Sequence, residues 1–152
     1  MELTVALRRL AYRAAYVALR GYWFLARPQT SGVKCVLTDG DRVLLVRHTY
    51  GSRAWDLPGG SVKSGESPVD TARREMREEL GVDLDGWRPL GQLELAIDHR
   101  RDRVHCFQAE LYSPAKLKLD LGELSAARWF DRDQLPKVGP YTRRILALVG
   151  DR

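Results

Sequence analysis

Residues 60 to 82 read GSVKSGESPVDTARREMREELGV, and this stretch places three glutamates at helical spacing. At about 100° per residue, Glu75, Glu78 and Glu79 fall on one side of a helix, at the edge of its apolar face. Like charges three or four residues apart destabilise a helix, and desolvation beside apolar side chains raises that cost. The pattern indicates carboxylates that bind a divalent cation; the alternative is a solvated acidic face paired with neighbouring arginines.

The same stretch carries the signals that begin and end a helix. Ser67 is predicted as the N-cap and Pro68 as the first helical residue, with Asp70 closing a capping box. Gly81 follows the last periodic residue, where glycine commonly ends a helix. These signals predict a helix over residues 68–80.

A Pro-Gly-Gly turn lies before the helix in the sequence. It follows a short apolar segment that begins at Trp55. Glycines in such a turn let the backbone approach a ligand closely. Gly60 is followed after five residues by Glu66, and Glu66 is followed after seven residues by REMREELGV, Arg74 to Val82. This spacing matches every specified position of the Nudix box, so the chain resembles the Nudix hydrolase superfamily over roughly Gly32 to Leu148.

The resemblance implies an α/β fold, a Nudix-type α/β/α sandwich with a mixed sheet, here preceded by an N-terminal amphipathic helix. It also implies Mg²⁺-dependent, or Mn²⁺-dependent, hydrolysis of a phosphoanhydride bond in a nucleoside diphosphate linked to another moiety. Mg²⁺ suits such a site because it prefers oxygen ligands and shares its coordination with substrate phosphates.

The resemblance assigns roles to individual box residues. The metal-binding positions are Glu75, Glu78, Glu79 and the carbonyl of Gly59. Arg74 is expected to hold a neighbouring glutamate in place, and Glu66 to brace the loop against the helix. Gly60 has a structural role in the turn.

A general base must accept the proton of the attacking water. Several branches of the family use a glutamate shortly before a Trp-Phe strand, and Glu123 stands six residues before Trp129. Asp120 is the nearby alternative, and Glu78 or Glu79 can serve instead. Glu123 can also be only a solvated turn residue, and the sequence leaves these alternatives open.

Residues just before the box are candidates for substrate binding, because they offer a cation for phosphate and rings for base stacking. The candidates are Arg47, His48, Tyr50, Arg53 and Trp55. Surface or core packing is the alternative for each of them. His99 and His105 lack a second histidine at metal-ligand spacing, and we interpret them as a loop residue and a strand residue. Arg100, Arg101 and Arg103 are interpreted as a solvated hairpin tip.

The 152 residues, 44% hydrophobic and 30% charged, have the composition of a soluble globular protein. Residues 1 to 32 hold five arginines and one glutamate, whereas residues 33 to 152 hold twenty basic and nineteen acidic residues. The nearly neutral body argues against a stable nucleic-acid partner. Cys35 and Cys106 are expected to be buried, reduced thiols, and the protein to be cytoplasmic. We divide the chain into a helix and linker, residues 1–30, and a Nudix domain, residues 31–152.

The segment from Glu2 to Ala26 is predicted to be one helix with a narrow arginine stripe and a broad apolar face. Arg13 and Arg20 interrupt it too often for a membrane span or a signal peptide. Three interpretations remain. The helix packs on its own domain or on a second copy, it lies in a membrane interface with Tyr12, Tyr16, Tyr22 and Trp23 at headgroup depth, or it is an organelle presequence.

Alternation and turn residues predict the strands. They are Val33 to Thr38, Arg42 to His48, Trp55 to Leu57, Pro89 to Ile97, Arg103 to Tyr112 and Arg128 to Phe130. Asp39-Gly40-Asp41 and Asp98 to Asp102 are predicted hairpin turns, and Gly139-Pro140 starts a C-terminal helix. Two other functions remain alternatives: a non-catalytic nucleotide-binding or regulatory module, and a membrane-surface enzyme acting on a lipid-linked diphosphate.

Overall fold

The structure is a computed structural model that describes residues 2–112 and 115–150, so the predicted domain end at residue 152 lies outside the described residues. The helices are α1 (Glu2–Ala26), α2 (Pro68–Leu80) and α3 (Pro140–Leu146). The strands are β1 (Gln29–Asp39), β2 (Arg42–His48), β3 (Arg88–Ile97), β4 (Arg100–Glu110) and β5 (Leu124–Asp131). The predicted α1 and β2 agree with these bounds at both ends.

The strands in the described residues form one mixed sheet in the order β3-β4-β1-β2-β5. β1 pairs in parallel with β4, and the other neighbouring pairs are antiparallel. α2 packs on one face of the sheet and α3 on the other. The predicted α/β/α sandwich with a mixed sheet is therefore confirmed.

Alternate side chains of the central strands enter two apolar layers. Leu44 packs with Met76 and Leu80 of α2, whereas Leu45 packs with Ile145 of α3. All five side chains are buried. Because both faces of β2 are covered, the strand reads VLLV without polar interruption. Complete burial of each such side chain contributes about 1.5–3 kcal/mol, so these layers hold α2 firmly in place.

Cys35 and Cys106 are both buried free thiols, as predicted. Cys35 lies in the layer against α2, and Cys106 lies in the layer against α3. Burial raises the pKa of both thiols, which keeps them protonated.

The predicted ends of α2 are present. Ser67 is the N-cap and accepts a hydrogen bond from the Asp70 amide, while its hydroxyl donates to the Asp70 carboxylate at 2.6 Å. Pro68 occupies the first turn, and Gly81 ends the helix in a left-handed conformation, with φ of 68°. Local capping therefore sets the helical phase of the acidic side chains.

The structure corrects several strand predictions. β1 begins at Gln29 instead of Val33, and β5 begins at Leu124 instead of Arg128. The β3–β4 hairpin turns at Asp98 and His99, which both have positive φ, so Arg100 and Arg101 belong to β4. A two-residue turn of this kind matches the twist of the strands. Trp55 and Asp56 form only isolated bridges instead of a sheet strand, and Pro58, which lacks an N–H, follows closely.

The inner face of α1 packs on the domain, as one interpretation predicted. Its residues with partial burial share one side of the helix and are Val5, Arg9, Tyr12, Tyr16 and Trp23. The apolar stripe points the other way, with Leu10 64% and Val17 69% exposed. Tyr12, Tyr16 and Trp23 therefore lie away from any membrane that the stripe would meet.

None of the helices in the described residues combines the length and the apolarity that crossing a bilayer requires.

Candidate active site

Glu79 is the deepest acidic side chain of α2. It is 0% exposed, and its Oε2 accepts a hydrogen bond from the Gly59 amide at 3.0 Å. Its Oε1 is also buried and has no hydrogen-bond partner among the described residues. Burial raises the Glu79 pKa well above the ordinary range, and the nearby charge of Glu123 acts in the same direction. A buried carboxylate oxygen without a partner lowers stability unless a cation binds to it.

Three parts of the chain bring ligand atoms together at the Glu79 carboxylate. His48 at the end of β2, Glu79 of α2 and Glu123 before β5 each place one ligand atom within 4.8 Å of the others. The Tyr50 hydroxyl donates to Glu123 Oε1 at 2.8 Å. Burial, followed by the charge of Lys34, lowers the His48 pKa to about 4, so its ring is neutral at pH 7.

Arg74 links the other two predicted metal ligands. Its Nη1 donates to Glu75 Oε1 at 2.7 Å and to Glu78 Oε2 at 3.1 Å. Glu75 is 8% exposed, whereas the Glu78 side chain is 53% exposed. The structure therefore places Glu75 and Glu79 in the interior and leaves Glu78 at the solvent edge of the same helix.

Glu66 ties the loop before α2 to the helix. It accepts hydrogen bonds from Arg74 Nε at 2.9 Å and from the Thr71 hydroxyl at 2.7 Å. The Lys63 amide also donates a hydrogen bond to Glu66 Oε2, at 3.2 Å. The hydrogen bonds from Arg74, then Thr71, lower the Glu66 pKa to about 2. These contacts have the geometry that a brace between loop and helix requires.

Gly59 and Gly60 are glycines for different reasons. Gly59 has φ of 149°, and a Cβ there would overlap the Val33 carbonyl oxygen of the neighbouring strand. A Cβ at Gly60 would instead overlap the Glu75 carboxylate. The first contact is with backbone and the second with the end of a flexible side chain.

A cavity of about 640 Å³ extends from this turn to α1. Gly59 and Gly60 of the turn, Tyr16 and Trp23 of α1, and Tyr50 all line it. Apolar side chains of β3, such as Ile97, form part of the wall. The cavity is large enough for a nucleoside-sized group, and its lining includes His48 and Tyr50, which contact the carboxylate cluster.

The predicted substrate residues have different surroundings. Tyr50 lines this cavity, and Trp55 does so while packing edge-on against Phe130, with only 6% of it exposed. The Arg47 guanidinium lies 4.5 Å from the centre of the Trp55 ring. Arg53 lines a neighbouring cavity of about 290 Å³. The structure therefore joins Tyr50 and Trp55 in one cavity and leaves Arg53 in another.

The other arginines and histidines around the hairpin mostly contact protein. His99 lies in the turn, with its ring 5.1 Å from that of Phe24. Arg100 lies 4.1 Å from the centre of the Trp23 ring and lines the larger cavity, so it is not a free hairpin-tip residue. His105 is within β4, as predicted.

Sequence reasoning missed the place of His48 beside Glu79 and Glu123. The pairing of β2 with β5, in which His48 lies opposite Leu124, brings this histidine to the loop that carries Glu123. No local motif signals that contact, because the paired residues are far apart along the chain. The contribution of Tyr12 and Tyr16 to the site was missed for the same reason.

The donors at this site suit a hard divalent cation, which prefers carboxylate and carbonyl oxygens. The unpartnered Glu79 Oε1 and the neighbouring Glu75 supply such oxygens without displacing a hydrogen bond of Glu79. Fold and site together define a protein of α/β/α architecture in which the turn that binds Glu79 of the acidic helix also lines a nucleotide-sized cavity.

The chain belongs to the Nudix family: the model of the NUDIX domain matches residues 28–149. The similar curated proteins include the ADP-ribose pyrophosphatase of Mycobacterium tuberculosis, 42% identical over 64 residues, or 41% of this chain and 31% of that protein. The NAD-capped RNA hydrolase NudC of Vibrio vulnificus is 32% identical over 108 residues, or 70% of this chain and 40% of that protein. The chain thus spans well under half the length of these two relatives.

The fold also resembles the crystal structure of a MutT NUDIX hydrolase from Burkholderia pseudomallei. The TM-score is 0.73 and the sequence identity is 25%, and the match covers 80% of this chain and 98% of that chain. The part of this chain that aligns with the NUDIX domain begins at residue 28, so α1 lies outside that match.

Proposed function

We propose that this protein hydrolyses a phosphoanhydride bond in a nucleoside diphosphate linked to another moiety, with Mg²⁺ or Mn²⁺ as the required cation. The observation that carries the proposal is the buried Glu79 carboxylate. Its Oε1 lacks a hydrogen-bond partner among the described residues, and one of its oxygens lies within 4.8 Å of a Glu123 oxygen. An ionised carboxylate in this position lowers the stability of the folded protein. A bound cation would offset this cost and is therefore the best explanation of the arrangement.

In this proposal Glu75, Glu78, Glu79 and the Gly59 carbonyl hold the cation. When bound, the cation acidifies water and neutralises negative charge that develops on the phosphate oxygens. Arg74 orients Glu75 and Glu78 through the hydrogen bonds described above. Its planar guanidinium suits this task because it donates to several carboxylates at once.

Glu123 is the proposed general base. Its carboxylate lies in the cluster with Glu79, and the Tyr50 hydroxyl orients it at 2.8 Å. Asp120 is less suited to this role, because both of its carboxylate oxygens accept hydrogen bonds from Arg8. The nucleoside is proposed to occupy the cavity lined by Tyr50 and Trp55.

The substrate class rests on the relatives as well as on the cavity. Their names specify ADP-ribose and the NAD cap of RNA, which share a nucleoside diphosphate linked to a second group. A screen of nucleoside triphosphates, oxidised nucleotides, ADP-ribose, nucleotide sugars, dinucleoside polyphosphates and NADH, with product analysis, tests the proposal. Hydrolysis that requires Mg²⁺ or Mn²⁺ supports it. Nucleotide binding without turnover of any substrate would identify a non-catalytic module instead.

Alanine substitutions at the two turn glycines are expected to have different effects. Gly59→Ala should strongly lower the melting temperature, because its Cβ overlaps backbone and the positive φ adds strain. Gly60→Ala should leave the melting temperature within a few degrees but lower kcat at least about tenfold, since it displaces the Glu75 carboxylate. Thermal unfolding and steady-state kinetics of both variants measure the two effects.

Gly21→Ala is the matched control, because a Cβ at that helical position meets no atom within 4 Å. Its kcat should equal that of the parent. A Gly60→Ala enzyme with parental kcat would show that the Glu75 position does not matter for turnover.

A second candidate function places the enzyme on a membrane surface, where it acts on a lipid-linked diphosphate. The exposed apolar stripe of α1 favours this candidate. Its members are Leu3, Leu7, Leu10, Val17, Phe24 and Leu25, each at least 56% exposed. The cavity that reaches Leu19 and Trp23 of α1 offers room for an apolar group.

Charge favours an anionic bilayer over a second copy as the partner of this stripe. Arg13 and Arg27 are exposed along one margin of the stripe, and Glu2 is the only acidic residue before Asp39. In the α1 helix of a second copy, the only carboxylate would be that of Glu2 in the first turn. The rest of that helix would therefore offer these arginines no acidic partner. Anionic headgroups pair with arginines while the apolar side chains enter the interface.

Leu10→Glu is expected to weaken binding to vesicles about tenfold or more, because it places a charge in the apolar stripe. Sedimentation with phosphatidylcholine vesicles, with and without phosphatidylserine, measures this binding. Gln92→Glu, an exposed position on β3, makes the same change of charge away from α1 and should bind like the parent. A dimer that Leu10→Glu converts to a monomer would identify a second copy as the partner, and the candidate would then be abandoned.

A further inference from the structure

The inner face of α1 contacts the two loops that surround Glu123. Arg8 Nη2 donates to both oxygens of the Asp120 carboxylate, at 2.8 and 2.6 Å. At the next residue, Arg9 Nε donates to the Leu121 carbonyl at 3.0 Å. Arg13 Nε reaches the Thr49 carbonyl at 3.2 Å on the other loop. Three arginines of α1 thus bind backbone or carboxylate groups of the loop that carries Glu123 or of the loop that contacts it at Thr49.

Asp120 in turn organises the loop that carries Glu123. Its carbonyl accepts hydrogen bonds from the amides of Glu123 at 3.0 Å and Leu124 at 2.8 Å. Its Oδ1 accepts from the Gly122 amide at 2.9 Å. On the opposite side, the Asp120 amide donates to the Glu79 carbonyl at 3.0 Å. The loop is therefore held between α2, which carries Glu79, and Arg8 of α1.

The glycine of this loop allows the close approach of α1. A Cβ at Gly122 would lie 3.1 Å from the Arg8 guanidinium carbon. That separation is shorter than ordinary van der Waals contact. The guanidinium therefore covers the loop backbone directly next to Glu123.

Aromatic contacts connect α1 to the other side of Glu123. The Tyr12 ring stacks on Tyr50 at 5.7 Å between centres and an angle of 10°, and Tyr16 packs on the same ring at 5.6 Å. Tyr50 donates its hydroxyl to Glu123 Oε1. Tyr12 thus fixes the plane of the ring whose hydroxyl orients the Glu123 carboxylate.

The contacts of Arg8 contribute little to global stability, because the Arg8 side chain is 49% exposed. Their effect is local, because they restrict a short loop in which Leu121 is 47% exposed and Asp120 and Glu123 are half-buried. Small displacements of a catalytic group lower reaction rates strongly even when the fold is intact.

We propose that α1, which lies outside the NUDIX-domain match, is a positioning element of the active site that holds Glu123 in place through Arg8 and Asp120 on one side and Tyr12 and Tyr50 on the other. Arg8 and Tyr12 act through these partners and touch no substrate. The proposal rests on the proposed hydrolase function for its effect on rate, whereas its structural part concerns the loop alone.

Hydrogen exchange of the full-length protein, without substrate, tests the structural part. Arg8→Ala should increase exchange at the amides of Gly122, Glu123 and Leu124 at least about tenfold, while exchange in α2 stays as in the parent. Arg8→Lys should restore part of the protection, since lysine keeps the charge but not the two-oxygen contact. Arg77→Ala is the control, because Arg77 makes a similar exposed ion pair with Asp83 away from this loop.

Steady-state kinetics test the effect on the reaction. Arg8→Ala and Tyr12→Ala should each lower kcat about tenfold with KM changed less than about twofold, and Arg8→Lys and Tyr12→Phe should recover most of kcat. A merely structural role of α1 would lower the melting temperature without this pattern of rescue. Parental exchange and parental kcat in Arg8→Ala would overturn the proposal.

The two proposals fail in distinguishable ways. If the parent hydrolyses no substrate of the screen, the proposed function fails, and the exchange experiment still decides whether α1 holds the loop. If the parent is active but Arg8→Ala has the amide exchange rates and the kcat of the parent, only the proposed positioning role of α1 is refuted.

Discussion

Glu79→Gln is expected to lower kcat by more than about 10²-fold while the protein remains folded. The variant removes a negative charge from the oxygen that we propose binds the cation, and even the loss of a group behind a metal ligand costs about 10- to 100-fold. The fold should survive, since the amide oxygen of glutamine can still accept the hydrogen bond from the Gly59 amide. Kinetics at saturating substrate, over a range of Mg²⁺ concentrations, measure the loss.

The same variant should change how stability depends on pH in cation-free protein. Burial raises the Glu79 pKa in the folded state, so folding favours the protonated carboxyl. That contribution to stability is fully present below the ordinary glutamate pKa of about 4.3 and is lost as the pH rises through the raised pKa. At pH 7, therefore, cation-free Glu79→Gln should melt above the parent by a few degrees, since about 1 kcal/mol corresponds to about 2–4 °C at this size.

Addition of Mg²⁺ should reverse this order of melting temperatures, so that the parent melts above Glu79→Gln. The cation offsets the buried charge and stabilises the parent, whereas Glu79→Gln should respond little. Glu94→Gln, which removes an exposed carboxylate paired with Arg103, is the control and should behave like the parent. Equal melting temperatures of parent and Glu79→Gln at every pH, with no response to Mg²⁺, would contradict the proposed cation site.

Glu123→Gln is expected to lower kcat by about 10² to 10⁴-fold, the usual contribution of a general base. Glutamine has nearly the same shape and can still accept the hydrogen bond from the Tyr50 hydroxyl, so the loop should keep its conformation. The lost property is the ability to take a proton. Single-turnover kinetics separate this effect from substrate binding, which should change little.

The pH dependence of kcat distinguishes a base from a structural residue. In the parent, kcat should fall as the pH is lowered, because a protonated Glu123 cannot accept a proton. This acidic limb should be absent in Glu123→Gln. Asp120→Asn is unsuitable as a control, since Asp120 holds the loop, and Glu94→Gln serves again. Parental kcat in Glu123→Gln would transfer the role of base to Glu78 or Glu79.

Local signals predicted the parts of the fold that local interactions determine. Ser67, Pro68 and Gly81 set the ends of α2, because caps act within a single turn. The turn at Gly40 set the β1–β2 hairpin for similar reasons. The β3–β4 turn was predicted too long, because Asp98 and His99 adopt positive φ at a two-residue turn that their side chains do not specify as strongly as glycine does.

The sequence of α1 predicted the helix but not which side faces the domain. Apolar burial favours the leucine stripe as the inner face, whereas the structure buries the side with Tyr12, Tyr16 and Arg9. The contacts of α1 with the domain explain this orientation. On the loop that carries Glu123, the Asp120 carboxylate and the Leu121 carbonyl accept hydrogen bonds from Arg8 and Arg9, and Tyr50 stacks with Tyr12. Those partners are distant in sequence and unknown until the sheet is assembled.

The sequence by itself determined the family, the α/β/α class and the helix that carries Glu75, Glu78 and Glu79, because spacing and caps act over a few residues. Only the tertiary structure decided which of these carboxylates are buried, that His48 and Glu123 join Glu79, and that α1 lines the cavity and contacts the Glu123 loop. These outcomes depend on pairing between segments far apart in the chain, chiefly β2 with β5 and α1 with the loops beside Tyr50 and Glu123. Such pairings gain their free energy from surfaces that exist only after the chain has folded.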